Sequence, residues 1–138
     1  MKAFIAAIFV IGICLAQAQR KDYRTEKLRS IRLVFVEGNN QAASHIRKEL
    51  KKEKQRGCLR EALKAEDADA VLEIDSHSEV ESGPFAERHW IVSGKLHSKS
   101  GEVLWNDSER LEDEPFNSGG KTAAKVLLGH LQEQVCVK

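Results

Sequence analysis

Apolar residues cluster along the chain in seven stretches whose spacing separates strands from helices once an N-terminal apolar run is set aside. Ile31 to Val36 is a β-branched run broken only by Arg32, which reads as a largely buried strand. Glu37-Gly38-Asn39-Asn40 is a turn, with Asn39 or Asn40 placed to cap a helix. From Gln41 to Arg56 the spacing is helical: Ala42, Ala43, Ile46 and Leu50 share a face, and Arg47, Lys48, Lys51 and Lys52 cover the rest, with Gly57 placed to end the helix. Cys58 to Leu63 is read as a short strand, although Glu61 to Ala65 also suits a helix, and Glu66 to Asp69 as a turn or a single helical turn. In Val71 to Ser78, Leu72, Ile74 and Ser76 alternate with Glu73, Asp75 and His77, a half-buried strand. After Ser82-Gly83-Pro84, His89 to His97 puts Trp90, Val92, Gly94 and Leu96 on one face; Ser98 to Gly101 turns the chain and Glu102 to Arg110 returns. Ala123, Ala124, Leu127, Leu128, Leu131 and Val135 form the stripe of a final helix. The order is β-α-β-β-β-β-α, an α+β domain over residues 31–138, with two packed helices.

The excluded run is Phe4 to Leu15, behind Lys2 and ahead of Ala16-Gln17-Ala18. A basic start, an apolar stretch and a small-x-small site are the three zones of a secretory signal peptide, here residues 1–18. The stretch is about 12 residues, against the roughly 20 that cross a bilayer core, so no transmembrane segment is expected after cleavage. Cys14 follows Ile13 rather than a small residue, which argues against lipidation there. About 120 residues remain, enough for one core and too few for two. Residues 19–30 are polar and charged and are expected to be a flexible leading segment.

Export changes the reading of the remaining cysteines. Cys58 and Cys136 lie outside any CxxC pair, and in an oxidising compartment they are expected to bridge. Charge is divided: residues 20–64 carry 14 Lys and Arg against 6 Asp and Glu, and residues 65–138 carry 7 against 15. The plain expectation is attraction between the halves of one domain; the sharper one is a basic face for an anionic partner.

Three phrases resemble a group of small bacterial envelope domains, those of penicillin-binding-protein activator lipoproteins and of the curli secretion-channel subunit. They are the strand Ile31 to Val36 followed by Glu37-Gly38-Asn39, the stretch Ala68 to Ile74, and Ser100-Gly101-Glu102-Val103-Leu104-Trp105 with Asp107-Ser108 ahead of a Gly-Gly helix start. The resemblance spans most of residues 31–135 and rests on structural phrases. It implies a mixed sheet of about five strands with two helices packed on it, and a non-enzymatic scaffolding role. The chain departs from the group in lacking a lipobox and a long linker.

Candidate chemistry is sparse. Gly120-Lys121-Thr122 has the end of a phosphate loop, but Pro115 stands where its first glycine belongs, and capping by Asn117 or Ser118 is the simpler reading. No serine lies in a GxSxG setting, and no motif asks for a cofactor. Asn106-Asp107-Ser108 is formally a glycosylation sequon inside a strand. His77, His89 and Glu79 fall near one another if their strands form a hairpin, and imidazole with carboxylate on one sheet face suits zinc or copper. The basic face of Arg47, Lys48, Lys51 and Lys52 suits an anionic partner such as a headgroup or cell-wall polymer. Nucleic acid is not expected, because no aromatic residues interleave with these charges. The sequence therefore points to a secreted or periplasmic, non-catalytic binding or scaffolding module whose partner is an envelope protein or cell-wall component. The alternative is a small-ligand or metal-binding protein that uses the His77 face.

Overall fold

The computed structural model describes residues 23–52, 57–113 and 119–136. The expected signal peptide, Cys14, the end of the basic stretch and the loop with Asn117 and Ser118 lie outside the described residues. Helix α1 occupies residues 23–30. Then follow β1 (Leu33–Glu37), α2 (Gln41–Lys52), β2 (Arg60–Glu61), a 3-10 turn (Ala65–Asp67), β3 (Ala70–Val80), β4 (Arg88–Ser98), β5 (Val103–Glu112) and α3 (Lys121–Val135). The five strands form one mixed sheet in the order β2-β1-β3-β4-β5. β1 runs parallel to β2 and β3, whereas β3, β4 and β5 are antiparallel neighbours. The α+β class and the mixed sheet are as expected.

The helix count differs. The segment 19–30, expected to be flexible, is helical from residue 23 to residue 30. One buried leucine and two ion pairs account for the order: Leu28 is in the core, Lys27 Nζ donates to Glu102 Oε2 at 3.2 Å, and Arg24 Nε lies 3.9 Å from Glu102 Oε1. A single leucine leaves no periodicity to read, so the packing partner decides the conformation.

Alternation places Val34, Val36, Leu72, Ile74, Val92 and Leu96 on one sheet face, where they meet the apolar stripes of α2 and α3. The other face keeps Glu73, Asp75, His77 and Lys95 exposed. Asn40 fixes the start of α2 by accepting from the Ala43 amide at 2.8 Å while its own amide donates to the Ile74 carbonyl at 2.9 Å. Asp69 ties β1 to the start of β3, its Oδ2 accepting from the amides of Arg32 and Leu33, each at 2.9 Å.

Two glycines let α3 sit close. Gly120 is its N-cap in the left-handed region at φ 79°, and a β-carbon there would fall 2.7 Å from Val92 Cγ2. Gly94 on β4 lies directly beneath the helix, where a β-carbon would fall 2.9 Å from Leu127 Cδ2. Cys58 and Cys136 are bridged, with Cα atoms 5.6 Å apart, which fastens the end of α3 to the segment entering β2.

Candidate functional site

The residues singled out by sequence separate into pairs. In the antiparallel register Glu79 stands opposite His89 and His77 opposite Ile91, so all three site candidates share the β3–β4 ribbon. Yet His77 Nε2 lies 3.3 Å from Glu79 Oε1, while His89 Nε2 turns to Glu81 Oε1 at 3.0 Å. Glu81, just past the end of β3, takes the partner that Glu79 was expected to have. Arg110 Nη2 also reaches Glu81 Oε1, at 3.3 Å. The hairpin therefore carries two separate histidine–carboxylate contacts rather than one shared cluster.

The basic face of α2 is partly committed within the fold. Arg47 Nη2 donates to the carbonyls of Val36 and Gly38, at 2.9 and 2.8 Å, holding the β1–α2 turn. Lys51 lies 3.9 Å from Glu61 and Lys52 lies 3.2 Å from Glu49. Lys48 is exposed beside Gln41, Ser44, His45 and Lys121. Arg47 is thus held to the β1–α2 turn by two backbone carbonyls, a structural role within the fold.

A cluster that the sequence reading did not assemble lies on the helix side of the sheet. On β5, Trp105 pairs with Leu96 and Asp107 with Gly94, so Trp105, Asp107 and Glu109 project towards the helices. His130 of α3 meets the two acids: its Nδ1 is 2.7 Å from Asp107 Oδ2 and 3.3 Å from Glu109 Oε1. Among the described residues these three are the set of His, Cys, Asp and Glu whose donor atoms all lie within 4.8 Å of one another. The short bond to Asp107 raises the His130 pKa above its ordinary value, with Glu109 and Glu133 adding to the effect. The same bond, together with the Ser108 amide, lowers that of Asp107.

One signal for this cluster was available, the Asp107-x-Glu109 spacing that puts two acids on one side of a strand. Its phase was hidden by the consecutive apolar residues Val103-Leu104-Trp105. The ladder slips at Leu96/His97, where His97 pairs with Val103 and Leu96 with Trp105, leaving Leu104 as the extra residue. Such a bulge inverts the alternation downstream, so simple counting from Val103 gives the wrong face.

β5 is also one edge of the sheet. Among the described residues β4 is its only strand partner, so the backbone groups of alternate residues of β5 face away from the ladder. The opposite edge, β2, has only two residues. Beside β5 an open depression of about 480 Å³ runs over the exposed face, lined in part by Glu73, Asp75, Lys95, Asn106 and Ser108.

No protein-family model and no curated protein matches the chain. Solved structures do. The PelC dodecamer from Paraburkholderia phytofirmans superposes with a TM-score of 0.52 at 19% identity, over 75% of this chain and 90% of that one. The solution structure of the uncharacterized lipoprotein B from Nitrosomonas europaea gives 0.51 at 14% identity, over 75% and 83%. What is shared is the fold. The chain thus has the fold of the PelC protomer and of that lipoprotein. Among the described residues no helix is long and apolar enough to cross a membrane.

Proposed function

We propose that this protein is a non-catalytic, extracytoplasmic binding module of the bacterial envelope, and that it takes up a strand from a protein partner along the free edge of β5. The observation that carries the reading is the contrast between the two sheet edges. β2 is two residues long, whereas β5 offers ten residues with no proline and no lysine. Edge strands of monomeric proteins are commonly shortened, bulged or charged with lysine to prevent pairing; a long edge without proline or lysine is a template for strand addition. β5 carries its bulge at one end only, which leaves the run from Trp105 to Glu112 regular. Support also comes from the fold neighbours, one a lipoprotein and another a dodecamer. The resemblance of the Ala68 to Ile74 and Ser100 to Trp105 phrases to envelope scaffolding domains points the same way.

The alternative, a ligand site on the His77 face, is less favoured because His77 and His89 are engaged with different carboxylates. The test is capture from an envelope extract with the mature protein as bait, alongside an Asn106→Lys/Ser108→Lys variant that places two lysines on the exposed side of the edge. A partner retained through a moderate-salt wash by the wild type and lost by the variant is the expected result. Equal capture by both, or none by either, rejects the edge as the binding surface.

A further inference from the structure

We infer that Asp107, Glu109 and His130 form a site for one divalent transition-metal ion of the zinc class, held between β5 and the middle of α3. The donor set is one imidazole nitrogen and two carboxylate oxygens. Three protein ligands of this type with a water in the fourth position make an open zinc site. The imidazole selects against calcium and magnesium, which take oxygen ligands.

The site stands on rigid elements. Asp107 and Glu109 are two residues apart on a strand that is laddered to β4 through this region. His130 follows Leu127 by one helical turn, and Leu127 is buried against Gly94, the residue paired with Asp107. Its neighbour Leu131 is also buried, so the helix that carries the imidazole is seated on the core on either side of His130. The three side chains are partly exposed, which gives an ion and its water access from solvent.

Distances fit an exchange of proton for metal. Donor atoms around a tetrahedral zinc ion lie about 3.3 Å apart, given bond lengths near 2.0 Å. The 3.3 Å between His130 Nδ1 and Glu109 Oε1 already matches. The 2.7 Å to Asp107 Oδ2 is the length of a proton-bridged pair. It must open by about 0.6 Å when the ion replaces that proton, a shift within reach of side-chain rotation. Binding therefore releases a proton from His130 when it starts as imidazolium. The charged groups facing the imidazole are Asp107 and Glu109 from β5 and Glu133 from α3 itself, all of which favour a cation.

The inference is independent of the partner reading and is tested without a partner. Zinc is titrated calorimetrically into the mature, disulfide-bonded protein near neutral pH, with calcium and magnesium as comparison ions. The imidazole ¹⁵N signals of all five histidines are followed in parallel. Expected are one zinc per chain, a large shift confined to His130, and affinity weakened at least about tenfold by His130→Gln, Asp107→Asn or Glu109→Gln but unchanged by His77→Ala. The ¹⁵N readout needs no variant, so it decides the matter even if a substitution disturbs folding. No saturable zinc binding, a shift at His77 or His89 instead of His130, or equal binding of calcium overturns the assignment.

Discussion

At the scale of single residues, the interaction with a predictable pH signature is that of His130 with Asp107. The pKa of His130 is raised above its ordinary 6.5 in the folded protein. The stability this represents is present in full below about pH 6.5, the unfolded value, and is lost as pH rises through the raised folded value. Asp107 shifts the other way, below its ordinary 3.8. Its share is present above that pH and is lost as pH falls through the lowered folded value. The pair therefore contributes most between about pH 4 and pH 6.5, where both charges exist in the folded and unfolded chain alike. Both side chains are partly exposed, so the contribution is small and salt-sensitive. With metal removed by chelator, the wild type should melt above His130→Gln by a margin that is widest in this window. The margin should shrink towards either extreme and in high salt. Thermal melts of the two proteins across pH check this, and a margin that does not vary with pH would contradict it.

At the scale of elements, the seat of α3 on β4 sets the geometry of everything around β5. Gly94 is the contact point: a β-carbon would meet Leu127 at 2.9 Å and Trp105 at 3.1 Å. Leu127 is buried and has little room to turn aside. Gly94→Val should therefore cost about 1–3 kcal/mol by overpacking, read from urea unfolding. It should also lift α3 and weaken the His130–Asp107 contact, flattening the pH dependence described above. Retention of full stability would mean that the helix is not seated on this glycine. The same region marks where sequence reading stops. The strands β3 and β4 were legible because Leu72 and Ile74, and Val92, Gly94 and Leu96, fall on alternate positions, and α3 because its six apolar positions follow a helical period. By helical spacing Arg47 falls with the basic partner face, and its acceptors, the Val36 and Gly38 carbonyls, are backbone groups that no sequence pattern advertises. His89 could be placed opposite Glu79 from strand register alone, yet its ring turns to Glu81, a choice made by the hairpin turn. His130 and the two acids of β5 come from elements whose relative placement depends on a bulge and on a glycine, neither of which the period of the apolar residues records.

At the scale of the whole molecule, the sheet and its helices are closed by one covalent link. Cys58 precedes the edge strand β2 and Cys136 follows α3, 78 residues apart in sequence. Linking residues so far apart removes about 4–5 kcal/mol of loop entropy from the unfolded chain in the chain-entropy model. A domain of this size is commonly stable by only about 5–15 kcal/mol in total. The backbone ladder at this corner is short: β2 has two residues, joined to β1 through bonds such as Arg60 N to Arg32 O and Ala62 N to Val34 O, with Leu59 buried beside it. Cys58→Ala/Cys136→Ala should accordingly lose about 2–5 kcal/mol in urea unfolding. Amide exchange should quicken first in the last turn of α3 and around β2, since their mutual tether is gone, while β3 and β4 stay protected until global unfolding. Reducing the wild type should reproduce both effects. If reduced and oxidised protein unfold at the same urea concentration, the link constrains nothing. The fold would then be as secure in a reducing compartment as in an oxidising one, and the disulfide would cease to favour an extracytoplasmic site of action.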